Sequence, residues 1–72
     1  MVKILVVDDE LQIRESLRTV LAAEGFEAVS VPSAAQALAA VFREPFDLVI
    51  LDFVLADASG LSVLQKIREA QG

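Results

Sequence analysis

Residues 3–10, Lys3-Ile4-Leu5-Val6-Val7-Asp8-Asp9-Glu10, set an unbroken aliphatic run directly against three acids. Such a run, rich in β-branched residues and without polar alternation, is the pattern of a strand covered on both faces of a sheet. Residues 47–52, Asp-Leu-Val-Ile-Leu-Asp, repeat the design: an aliphatic run that ends in the carboxylate of Asp52. Two strands of this kind predict a parallel sheet with helices on its faces.

The segments between and beyond them agree. From Leu11 to Glu24 the apolar residues Ile13, Leu17, Val20 and Leu21 recur at spacings of three and four, the stripe of an amphipathic helix, and Gly25 follows as its C′ residue. Phe26–Val31 alternates apolar and polar residues as a half-exposed edge strand does. Ser33 and Gln36 form a capping-box pair that starts a second helix with Ala34, Ala37, Leu38, Val41 and Phe42 on its stripe, and Pro45 closes it. After a loop from Phe53 to Ser59, Ser59 and Gly60 introduce a third helix carrying Leu61, Leu64 and Ile67. The alternation of strand and helix with short links predicts right-handed parallel crossovers. With strands 1 and 3 read as doubly buried, the expected order is 2-1-3, a flavodoxin-like α/β sheet reduced to (βα)3, with residues 1–72 forming one unit.

In such a sheet all strands direct their C-terminal ends to one edge, where ligands bind. Neighbouring strands lie roughly 4.8 Å apart, so Asp8, Asp9 and Asp52 are expected to converge there. Carboxylates that close repel one another, and a hard divalent cation such as Mg²⁺ resolves the repulsion. Each acid also has a plainer reading. Asp9 with Gln12 is a capping-box-like pair, Glu10 reads as a solvated first-turn acid, and Asp52 alone reads equally as a turn residue. The combination, not any single member, carries the expectation of a metal site. A dinucleotide site is disfavoured because the turn after strand 1 has no glycine, and nothing supplies the cleft of a two-carboxylate hydrolase.

Composition narrows the chemistry further. The 72 residues carry 11 acidic against 6 basic side chains, a formal charge of −5, which opposes binding to nucleic-acid backbones or anionic membranes. There is no cysteine and no histidine, so a metal must be held by oxygen. The short apolar run at the N-terminus has neither a cleavage signature nor the length of a membrane span, and the expected location is the cytoplasm. The hydrophobic content of 56% is high for so short a chain and suggests the interior of something larger. The four phenylalanines, Phe26, Phe42, Phe46 and Phe53, read as packing residues, and Arg14, Arg18, Arg43 and Arg68 as solvated helix faces.

KILVVDDE, the middle stretch LVILDFVLADASGL, the segment GFEAVSVPSAAQALA and the spacing between them resemble the receiver domains of two-component response regulators. The resemblance runs through the whole chain. It implies that Asp52 is the phosphoacceptor, that Asp8 and Asp9 are the acidic pair holding Mg²⁺, and that the backbone carbonyl of Val54 is a further ligand. It also implies a phosphohistidine on a partner kinase as donor, and no separate substrate turned over. The chain departs from the family pattern at Val54 and Ala56, where Met and Pro are common, and more seriously in ending after the third helix. Receiver domains continue through two strands that supply a Ser or Thr, a Lys and an aromatic switch residue; Lys3 and Lys66 match none of these positions. Phosphotransfer is therefore expected to be impaired. With strand 3 left as an open edge, the chain is expected to self-associate as an edge-paired or swapped homodimer. A self-assembling half-fold with a vestigial acidic site is the alternative function.

Overall fold

The computed structural model describes residues 1–52, 55 and 57–71. Three parallel strands, β1 (Lys3–Val7), β2 (Glu27–Val31) and β3 (Leu48–Leu51), alternate with helices α1 (Leu11–Ala23), α2 (Ala34–Arg43) and α3 (Gly60–Gln71). The sheet order is β2-β1-β3, as the burial pattern of the sequence predicts. The register pairs Val7 with Val31 on one side and with Leu51 on the other, so all three strands finish level.

Local chemistry accounts for the boundaries. Gly25 adopts φ +92°. Around it the Gly25 and Phe26 amides donate to the Ala22 and Leu21 carbonyls at 3.1 Å each, a Schellman ending that satisfies carbonyls α1 leaves free. Ser33 caps α2 by accepting from the Gln36 amide at 3.2 Å. Glu44 is extended, the conformation Pro45 imposes on the residue before it, and α2 stops there. In α3 the Ser59 hydroxyl accepts from the Ser62 amide at 3.2 Å.

Strand β1 is central: Ile4, Leu5, Val6 and Val7 are at most 2% exposed. Leu5 and Val7 face a core built with Val31, Ala34, Ala37, Ala40, Leu55, Val63 and Ile67, under α2 and α3. Ile4 and Val6 alternate to the other face, which α1 covers.

The helix stripes are shallower than their periodicity predicts. No α1 side chain is fully buried, and Ile13 and Val20 are exposed, because α1 lies across β2 and β1 and leaves β3 uncovered on that face. On α2 the buried residues are the alanines 34, 37 and 40, which allow close approach to the sheet, while Phe42 points out at 73% exposure. On α3 the inward residues are Val63 and Ile67; Leu61 and Leu64 are exposed, a rotation of the expected stripe toward α2. The reading of strand 3 as doubly buried is corrected as well. β3 is an edge among the described residues, and Leu48 is 52% exposed.

Two polar clusters tie elements together. At the N-terminal edge of the sheet, Lys3 pairs with Glu44 and, at 3.3 Å, with Glu27, and its ammonium lies 5.5 Å from the centre of the Phe46 ring. Hydrogen bonding to Glu44, with Glu27 adding to it, holds Lys3 above its ordinary pKa. Between α1 and β2, the Glu15 carboxylate accepts from the Arg18 guanidinium at 2.8 Å and from the Ser30 hydroxyl at 3.0 Å. These bonds, Arg18 first, hold Glu15 below its ordinary value of 4.5. A carboxylate depressed on folding stabilises the fold at pH above its unfolded pKa and loses that contribution as pH falls through the folded pKa. Glu15→Gln is accordingly expected to lower the melting temperature at pH 7, with the difference from the unmodified chain closing as thermal melts are carried below pH 4.5.

Candidate functional site: an acidic cluster at the strand ends

The hydrogen-bond ladders run one residue past the strands. The Asp8 amide donates to the Val31 carbonyl at 3.2 Å, and the Asp52 amide donates to the Val7 carbonyl at 3.0 Å. Asp8 and Asp52 are therefore fixed by backbone pairing at the same edge of neighbouring strands, as the ends of two aliphatic runs in register require. Asp9 follows on the turn into α1. One carboxylate oxygen from each of Asp8, Asp9 and Asp52 lies within 4.8 Å of the others, with Asp8 and Asp52 half-buried and Asp9 exposed.

The plainer reading of Asp9 as a helix cap does not hold. Glu10 occupies the N-cap of α1 and makes no side-chain cap, and the first turn of the helix contains no acid. The Asp9 carboxylate is thus not engaged in capping, and Glu10 precedes the helix instead of lying in its first turn. Asp8 Oδ1 accepts from the Glu10 amide at 2.9 Å, an Asx-type turn that orients the Asp8 side chain.

Two residues that sequence reasoning passed over support this edge. Arg14, read as a solvated helix residue, is half-buried and reaches back one turn to donate from Nη1 to the Asp8 carbonyl at 2.9 Å. It braces the β1–α1 turn and brings a positive charge beside the acids. Asp57, in the segment after Asp52, accepts from the amides of Ala34 and Ala35 at 2.9 and 3.1 Å, and those two bonds hold its carboxyl below the ordinary carboxylate range. Neither role was foreseeable: Arg14 bonds a carbonyl six residues back, and the partners of Asp57 are 22 and 23 residues away. Val54, whose carbonyl the resemblance names as a ligand, and Phe53 lie outside the described residues.

The donor set fits a hard cation. All three groups are carboxylates on one edge, and oxygen ligands select ions such as Mg²⁺, Ca²⁺ or Mn²⁺. At about 4 Å each carboxylate pair repels by about 1 kcal/mol in water and about 4 kcal/mol at an effective dielectric of 20. A divalent ion removes that cost. Neither lysine lies near these acids: Lys3 opens β1 at the opposite edge, and Lys66 is exposed on α3 beside Leu38, Phe42 and Glu69.

A parallel 2-1-3 sheet whose strand ends gather three aspartates defines a flavodoxin-like α/β module with an acidic edge. Residues 4–72 match the response regulator receiver domain, and the chain belongs to that family. It is 43% identical over 68 residues to the transcriptional regulatory protein KdpE of Mycobacterium tuberculosis, a match covering 94% of this chain and 30% of that protein. The regulatory protein VanRc of Enterococcus gallinarum is 40% identical over 67 residues, 93% of this chain and 29% of VanRc. The chain thus spans less than a third of these curated relatives. The response regulator TrrA of Thermotoga maritima, crystallised in complex with Mg²⁺–BeF, superposes with a TM-score of 0.91 at 45% identity, over 96% of this chain and 60% of TrrA. TrrA has also been crystallised in complex with the histidine kinase ThkA.

Replacing one acid by an amide removes repulsion and a ligand together. In metal-free buffer Asp52→Asn is expected to be more stable than the unmodified chain by about 1 kcal/mol. Millimolar Mg²⁺ is expected to raise the melting temperature of the unmodified chain and to leave that of Asp52→Asn unchanged.

Proposed function

We propose that this chain is a phosphoaccepting receiver module of a two-component phosphorelay, taking a phosphoryl group onto Asp52 from a phosphohistidine of a sensor kinase or phosphotransfer protein. The observation that carries the proposal is the convergence of the Asp8, Asp9 and Asp52 carboxylates within 4.8 Å. Asp8, Asp9 and Asp52 would hold the metal, and the family resemblance adds the Val54 backbone carbonyl as a further ligand. A bound Mg²⁺ would supply neutralisation of the charge on the transferring group.

The residues of the chain perform the remaining tasks. Asp52, half-buried and fixed through its amide, presents a carboxylate oxygen as nucleophile. As its bond to phosphorus forms, the phosphorus–nitrogen bond of the donor breaks and the electron pair stays on the imidazole. Asp8, oriented by the Glu10 amide, and Asp9 supply the carboxylates that would hold a cation beside Asp52. Transfer by these 72 residues is proposed to be impaired, since no lysine of the chain stands at the acidic edge. The chain turns over no separate substrate, and it works in the cytoplasm. No helix among the described residues is long and apolar enough to cross a membrane, and the charge of −5 disfavours direct contact with nucleic acid within these residues.

A second reading rests on one observation: β3 is an edge among the described residues, with Leu48 52% exposed. Open aliphatic edges pair with other chains, and the chain is proposed to form an edge-paired or swapped homodimer. Sedimentation over a wide concentration range is expected to show a mass that rises with concentration; a monodisperse monomer with concentration-independent unfolding refutes it.

Phosphorylation is tested directly by treating the chain with beryllofluoride or acetyl phosphate in the presence of Mg²⁺. The expected outcome is a shift of the Asp52 and Asp8 amide resonances with beryllofluoride, and a phosphoryl adduct at Asp52 with acetyl phosphate that is absent from Asp52→Asn. No response of either kind overturns the proposal.

A further inference from the structure

The segment that leaves Asp52 is held at three points. The Asp52 amide is bonded to the Val7 carbonyl at 3.0 Å; Leu55 is 5% exposed in the core, with its amide donating to the Ala58 carbonyl at 3.0 Å; and Asp57 takes the first two amides of α2. Helix α2 already has a local cap in Ser33, which serves the Gln36 amide. The Ala34 and Ala35 amides are instead served from 22 and 23 residues away, by a charged group in the segment that follows the acceptor.

These bonds form a closed circuit. It runs from the Asp52 amide to Val7, along the chain to Asp8, from the Asp8 amide to Val31, through Pro32 and Ser33 to Ala34, and from the Ala34 amide to Asp57, which the chain connects back to Asp52. The circuit links the C-terminal ends of all three strands. Asp57 is the one side chain in it, and its carboxylate is favoured there by the positive end of α2. Its depressed pKa agrees with a carboxylate committed to those amides and not shared with the acid cluster.

We infer that Asp57 is a positioning residue for the acidic site: by taking the first two amides of α2 it ties itself to the end of β2, whose Val31 carbonyl holds the Asp8 amide, so that cation affinity depends on a carboxylate that is not itself a ligand. The inference rests on the proposed metal-dependent function of Asp8, Asp9 and Asp52.

The test is Mg²⁺ titration of the 72-residue chain followed by ¹H–¹⁵N NMR, with thermal melts in parallel, for the unmodified chain, Asp57→Ala, Asp57→Asn and Ser33→Ala. Loss of an outer residue that orients ligands typically weakens metal binding about 10- to 100-fold, and Asp57→Ala is expected to raise the Mg²⁺ Kd by at least about tenfold. Asp57→Asn retains one carbonyl acceptor and is expected to recover part of that loss. Ser33→Ala also removes a cap from α2 but leaves the circuit closed; it is expected to lower the melting temperature without changing the Kd. An unchanged Kd in Asp57→Ala, or an equal rise in Ser33→Ala, overturns the inference while leaving the metal site standing. If Asp57→Ala does not fold, the comparison of Asp57→Asn with Ser33→Ala decides in the same way. Absence of Mg²⁺ binding by the unmodified chain overturns the proposed function, and this inference with it.

Discussion

The pairing of β1 with β3 is the constraint on which the rest depends. Both strands are aliphatic runs ending in aspartate, and their parallel register sets Val7 level with Leu51. The next residues, Asp8 and Asp52, must then stand at one edge on neighbouring strands. A slip of one residue in this register turns every side chain of a strand to the other face. It would expose Leu5 or Val7 to lose the core, and it would separate the two acids in the same step. Burial and site geometry are therefore enforced by one interaction.

Placing acids beside one another at the end of such strands has an electrostatic cost, which the surrounding structure spreads over several contacts. Asp8 is oriented by the Glu10 amide, its carbonyl is braced by Arg14, and its amide is bonded to β2. Asp52 is fixed by the β1 ladder. Asp57, a fourth acid close in sequence, is drawn away by the amides of α2. The result is three clustered carboxylates, of which Asp9 and Asp52 accept no side-chain hydrogen bond from the described residues, an arrangement that a cation would complete.

The uneven cover of the sheet follows from the same topology. Small alanines let α2 approach the face shared by Leu5 and Val7, and α3 leans against α2. On the opposite face α1 spans β2 and β1 and stops short of β3, which leaves Leu48 and the outer flank of α1 exposed. The apolar periodicity of α1 therefore exceeds what its neighbours in this structure bury. This surplus is the structural counterpart of the high hydrophobic content of the chain.

Element order, sheet order and the identity of the three clustered aspartates were legible in the linear chain, because they depend on local signals. Aliphatic runs make strands, Gly25 and Pro45 end helices, Ser33 starts one, and acids at strand ends must meet once the strands are parallel. Periodicity also located the helices and the buried Ala34, Ala37 and Ile67, but it misjudged other members of the stripes: Val63 is buried in place of Leu61 and Leu64, and Ala40 in place of Phe42. A stripe states only that a helix has an apolar side, and the neighbours decide how much of it is covered. The capping of Asp9, open in the sequence, was settled by the start of α1 at Leu11 after Glu10. Arg14 and Asp57 acquired their roles from folding alone. A side chain that bonds a carbonyl six residues back, or amides more than twenty residues away, has no periodic or local signature, since its partner is defined only when separate elements come together in space.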